Sequence, residues 1–135
     1  MTTANIDTVR RIYEAFGRQD VPAILEHIAE DVDWEYGYPD RGIPWLIPGR
    51  GRTHVAGFFQ AMGKELAFEK FGISAIVGEG LLVIALADLA FVVRKTGKRV
   101  AEVDEPHVWH FDARGRVRKF RHAADTLQHS EAYRG

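Results

Sequence analysis

The sequence predicts an α+β fold in which three N-terminal helices pack on a curved antiparallel sheet and enclose a pocket. Three observations carry that expectation. Apolar residues recur at helical spacing early in the chain, beginning with Ile6, Val9, Ile12, Tyr13 and Phe16. From Phe68 onward the pattern changes to strand-like runs separated by three short, glycine-bearing connections. A length of 135 residues with 46% hydrophobic content suits one domain spanning residues 1–135.

The first helix is expected to end at Gly17, as helices often end at a glycine. Asp20 then caps a second helix, with Pro22 in the first turn, where no backbone donor is needed. Ile24, Leu25 and Ile28 form its apolar face. Val32-Asp33-Trp34-Glu35-Tyr36 reads as a short strand. Residues 37–52 hold four glycines and three prolines, so they form a long loop, and its Trp45, Leu46 and Ile47 are apolar enough to cover a cavity. Thr53 caps a third helix whose apolar positions are Val55, Phe58, Phe59, Met62 and Leu66. Strands follow near 70–77, 81–94, 99–111 and 116–124 as an antiparallel meander, and Asp125-Thr126 opens a C-terminal helix through Tyr133. Long strands twist, so the sheet bends around the helices and leaves a conical space between the layers.

Composition narrows the function classes. Eighteen basic and 19 acidic residues leave a formal charge of −1, with no field of one sign to draw in nucleic acid or an anionic membrane. The chain has no cysteine, which excludes disulfides, thiolate metal sites and a thiol nucleophile, and fits a cytoplasmic location. The opening residues lack a basic segment followed by an apolar one, so no signal peptide is expected. The most apolar run, Gly80 to Val93, contains Asp88 and falls short of the ~20 residues a membrane-spanning helix needs. It reads as a buried strand.

Strand alternation sorts the side chains that could carry chemistry. Glu105, His107, Trp109 and Phe111 share one face, and Phe120 and His122 share one on the next strand. If these aromatic faces point inward, His107 and His122 meet in the pocket. Imidazole titrates near neutral pH, so these two are the expected catalytic acid–base groups. Asp104, Glu105 or Asp125 would orient one of them, and a bulge in either strand would change which carboxylate faces inward. Trp34 and Tyr36 share a phase. With Tyr13, Phe59, Glu105, Trp109, Phe120 and Asp125 they form the expected substrate-binding set. Asp125 also reads simply as a helix N-cap. His107 and His110 lie on opposite faces, and nothing fixes a third ligand beside His107 and His122, so no metal is expected. Arg116, Arg118, Lys119 and Arg121 read as a solvated outer face or a dimer rim.

Several stretches resemble the SnoaL-like branch of the NTF2-like (ketosteroid isomerase-like) superfamily. They are Ile12-Tyr13-Glu14-Ala15-Phe16, then Ile28-Ala29-Glu30-Asp31-Val32-Asp33-Trp34, the helix entry from Gly49 to Phe59, and the segment from His107 to Thr126. The resemblance implies a cone-shaped, cystatin-like fold and no cofactor. Two readings of the pocket stay open. One is acid–base chemistry of isomerase, cyclase or dehydratase type on a small apolar carbonyl compound. The other is a non-catalytic module that binds a hydrophobic ligand. Compared with ketosteroid isomerases, the first-strand carboxylate matches Tyr36, the first-helix tyrosine matches Ile12, and the oxyanion-hole acid matches His107. Steroid isomerisation by that constellation is therefore not expected. The resemblance also implies a homodimer through the outer face of the sheet, where Ile84, Leu86, Phe91 and Val93 offer apolar surface.

Overall fold

The computed structural model describes residues 2–135. Helix α1 (Thr2–Gly17) turns Val9, Ile12 and Ala15 into the core. The helix ends at Gly17 as expected, but the left-handed residue of its exit is Gln19. Gln19 takes the left-handed conformation (φ 59°), and the Asp20 N–H closes back on the Ala15 carbonyl at 2.9 Å. Asp20 caps α2 (Val21–Leu25) as expected, its carboxylate accepting from the Ala23 N–H at 3.2 Å.

That second helix is shorter than its apolar spacing suggested. Ile28 leaves it and opens β1 (Ile28–Trp34), which runs parallel to β6 with Trp34 opposite Phe120. The two-residue β2 (Gly49–Arg50) pairs antiparallel with the end of β1. Glycine is required at 49, because a Cβ there would sit 2.4 Å from the His54 ring.

Helix α3 (Arg52–Glu65) starts from Gly51, which offers no side-chain cap, so Thr53 lies inside the first turn and not at the cap. Its Val55 and Phe58 are buried. The expected meander follows as β3 (Leu66–Glu79), β4 (Leu82–Val93), β5 (Arg99–Phe111) and β6 (Val117–His122). Gly80, Gly97 and Gly115 hold positive φ in its three turns. Helix α4 (Thr126–Arg134) is capped by Asp125, whose carboxylate accepts from the Gln128 N–H at 3.2 Å.

The six strands form one open sheet in the order β2-β1-β6-β5-β4-β3, antiparallel except at the β1–β6 seam. Two apolar clusters fill its concave side, one under α1 and α3 and one under the 35–48 loop and α4. Phe91 and Val93 belong to the second cluster and not to the outer face. No helix among the described residues is long and apolar enough to cross a membrane.

Candidate functional site

A cavity of about 70 Å³ lies where the two clusters meet. Trp34 and Phe120 form one wall, stacked with ring centroids 4.3 Å apart. Trp109, Phe58 and Phe59 continue it, while Trp45 and His129 reach it from the loop and α4. Tyr13, Phe16, Phe59, Met62 and Phe71 also line a groove of about 940 Å³ bounded by α1, α3 and β3. The groove and the cavity therefore adjoin across these shared side chains.

A chain of hydrogen bonds fixes the state of His107. The Trp109 indole N–H donates to the Tyr13 hydroxyl at 3.1 Å. Tyr13 therefore turns its own proton to His107 Nδ1, 2.6 Å away. His107 Nε2–H then donates to Glu105 Oε1 at 2.7 Å. Burial pulls the imidazole down to about 3, and the neighbouring His122 charge adds to this. Burial likewise pushes the Tyr13 hydroxyl far up. His107 is therefore neutral at pH 7, and its contact with Glu105 is not an ion pair.

His122 is in the opposite state. Burial alone would lower it, but the Glu35 carboxylate and then Glu105 outweigh burial and hold it up at about 9. Glu35 Oε2 contacts His122 Nδ1, and Glu35 Oε1 accepts the His122 backbone N–H at 3.1 Å. Among the described residues the imidazole Nε2 has no partner, and the ring lines the cavity. A charged and a neutral imidazole thus face each other with centroids 5.9 Å apart.

Glu105 is the third functional group. Burial is the main reason its carboxyl is pushed up to about 8, and the nearby Glu102 carboxylate adds to this. No donor reaches its buried Oε2, and in the acid form its proton goes to the Glu102 carboxylate. Burial would also raise Glu102, but hydrogen bonds from His129, Glu105 and the Asp125 N–H hold it down at about 2. A bulge brings the two glutamates to one face. Val103 and Asp104 on β5 oppose Asp88 alone on β4, and Asp104 takes φ 55°.

Glu102, Glu105 and His129 present ligand atoms within 4.8 Å of one another. Their hydrogen bonding does not suit a cation. The Trp45 indole N–H donates to His129 Nδ1 at 3.0 Å, so the proton of the neutral ring sits on Nε2 and is given to Glu102 at 2.6 Å.

The SnoaL-like domain family matches residues 9–120. This chain belongs to that family. Its fold is that of an NTF2-like protein of unknown function from Burkholderia pseudomallei, with 27% identity, a TM-score of 0.81 and 98% of each chain covered. Bal32a, from a soil-derived mobile gene cassette, is similar at 26% identity and TM-score 0.79, again over 98% of each chain. An LEH-like epoxide hydrolase of M. tuberculosis shares the fold alone, at 20% identity and TM-score 0.70, covering 98% of this chain and 90% of that one. No functionally curated protein matches the sequence.

Within this SnoaL-like domain, His107, His122, Tyr13, Trp34, Phe59, Glu105, Trp109 and Phe120 all line the cavity. Tyr36 does not. Its hydroxyl meets His110 Nε2 at 2.8 Å on the outer face, with the Lys119 ammonium 4.6 Å above its ring. The reason is Glu35, which takes φ 54° just after β1, breaks the alternation, and turns its own side chain inward. Asp125 is exposed and serves as the α4 cap, so it binds no ligand in the cavity. Asp104 is exposed as well, and Glu105 is the carboxylate that meets His107.

The comparison with isomerases also shifts. The inward-turned carboxylate at the end of β1 is Glu35, which sits behind His122 and does not itself line the cavity, and the α1 hydroxyl in the cavity belongs to Tyr13 one position beyond Ile12. Glu35, Glu102 and His129 carry no assignment from the sequence, and Trp45 is expected there only as a cavity cover. The one signal for Glu35 was an acidic residue between two aromatic ones.

Proposed function

We propose that this protein is a cofactor-independent acid–base enzyme acting at the carbon beside a carbonyl in a small, mostly apolar compound. One observation carries the reading: Glu105, with no donor on its buried Oε2, and His122, with a carboxylate behind it and an open Nε2, meet on one aromatic cavity. In its carboxylate form Glu105 takes the proton, and the C–H electron pair moves into an enolate. His122 Nε2–H donates to the oxygen on which charge develops. Return of the proton at the same or another carbon completes exchange or isomerisation. Neutral His107, held by Tyr13, positions Glu105, and the aromatic walls exclude water.

The test is α-hydrogen exchange into a panel of cyclic ketones and enones in D2O, followed by NMR. Glu105→Gln is expected to slow exchange by about 100-fold or more. Unchanged exchange in both Glu105→Gln and His122→Asn removes the assignment. Tight retention of an unaltered ligand with no exchange by the wild type favours the binding-module reading.

The proposal includes a homodimer through the outer sheet face, where Val77, Ile84, Leu86, Pro106 and Val108 are all at least partly exposed. Light scattering that returned the single-chain mass would contradict it.

A further inference from the structure

Two chains of hydrogen bonds run towards one pair of carboxyl groups. In the first, donors point from the Trp109 indole to Tyr13, from Tyr13 to His107, and from His107 to Glu105 Oε1. In the second, the Trp45 indole N–H donates to His129 Nδ1, and His129 Nε2–H donates to Glu102 Oε2. The Asp125 N–H donates to Glu102 Oε1 at 2.9 Å. The chains end on neighbours, since Glu102, Glu105 and His129 each bring a polar atom within 4.8 Å of the others. Both Glu102 oxygens accept from fixed donors, whereas no donor reaches Glu105 Oε2. A proton shared by the pair therefore sits on Glu105 Oε2 and is given to Glu102.

We infer that Glu102 is a positioning residue through which Glu105 exchanges its proton with solvent. This deepens the proposed function and rests on it for the role of Glu105. Glu105 lines the cavity with its side chain 1% exposed. Glu102 stands behind it, 9% exposed, bonded to the N–H of the exposed Asp125 at the start of α4. The other neighbours of Glu105 offer no exit. His107 Nε2 already gives its proton to Glu105 while Nδ1 accepts from Tyr13, and His122 is itself charged. His107, His122, His129, Tyr13 and the Asp125 carboxylate are the titratable groups that face the pair. After C–H cleavage the substrate's proton is on Glu105 Oε2. That O–H bond breaks as an O–H bond forms on Glu102, and Glu102 then hands the proton to water at the α4 cap. Both groups are left as carboxylates, and the reverse path brings a solvent proton to Glu105 for delivery to the enolate. His129 and the Asp125 N–H hold Glu102 well below the usual carboxylate range, so it passes the proton on and does not keep it.

The test uses 3-cyclohexenone deuterated at C2, isomerised in ordinary water, with deuterium at C4 of the conjugated product read by NMR. The wild type should deliver little label to C4, because the deuteron leaves through Glu102. Glu102→Gln closes that exit and should raise the label at C4 severalfold, and Glu102→Asp, which keeps a carboxylate there, should bring it back down. Structural damage alone would slow turnover without raising the transfer. Equal transfer in the wild type and Glu102→Gln overturns the inference, and so does a wild type that keeps the label, even if no variant folds. Carboxyl 13C NMR tests the pair without any ketone. Near pH 6, Glu105 should carry a proton while Glu102 is ionised. Two ionised groups, or the proton on Glu102, would overturn the inference. Turnover with the label handled alike in every protein sinks the exit route and spares the acid–base reading. No turnover of any ketone by the wild type sinks that reading, and the exit route falls with it.

Discussion

Glu35 and His122 form a buried carboxylate–imidazolium pair across the parallel seam between β1 and β6, with the side chain of Glu35 0% exposed and that of His122 11% exposed. The pair is held twice, side chain to side chain and carboxylate to backbone N–H. Removing one partner of such a pair strands the other charge in the interior. Glu35→Ala should therefore cost roughly 3–5 kcal/mol of folding stability. Replacing both members with apolar residues, as Glu35→Leu with His122→Phe, should cost clearly less than the sum of the single changes. Urea unfolding of Glu35→Ala and of the wild type, Glu35→Leu, His122→Phe and the double variant checks this, and strictly additive effects in the last four would contradict the pairing.

Stability should fall as pH rises from about 6.5 to about 9. His122 holds its proton more tightly folded than unfolded, so its contribution is complete below the ordinary histidine range and is lost through about 9. Glu105 also binds its proton more tightly when folded, and loses that advantage between the ordinary carboxylate range and about 8. The two act in the same direction on the alkaline side. On the acid side, His107 and Glu102 are lowered, so their contributions disappear as pH falls towards about 3 and about 2. Thermal melts across pH 6 to 9 should show a steady fall in Tm, and a Tm that rises over that span would be inconsistent with both assignments.

The rate of ketone exchange should climb through about pH 8 as Glu105 ionises and decline beyond about 9 as His122 loses its proton. Glu102 lies beside Glu105 and opposes its ionisation. Glu102→Gln should thus move the ascending limb to lower pH, and the descending limb, held mainly by Glu35, should move the same way by less. Purely structural damage would lower the whole profile without moving either limb.

The strand-paired positions of the site were legible in the sequence because β5 and β6 are regular there. Period-two alternation put His107 and Trp109 on one face of β5 and Phe120 and His122 on one face of the neighbouring β6, and the structure sets His107 opposite His122 and Trp109 opposite Phe120. The same logic failed at two irregular backbones. Left-handed Glu35 exchanged the faces of positions 35 and 36, and the Val103–Asp104 bulge brought Glu102 to the side of Glu105. Ile28 sits four residues after Ile24 and so mimicked a helical face, although its partner is Val117, far away in the chain. Trp45 was read as a cavity cover, but its bond to His129 joins two segments that no local pattern connects.

The central claim is that one cavity holds a charged His122, kept so by Glu35, facing a neutral His107. An NMR pH titration of ring-labelled histidines in the wild type and in Glu35→Gln tests it directly. The account predicts that His122 titrates well above 7 in the wild type and falls by a unit or more in the variant, while His107 stays neutral down to pH 5 in both. A His122 that titrates near 6.5 in both proteins, or a His107 that gains its proton first, would contradict it.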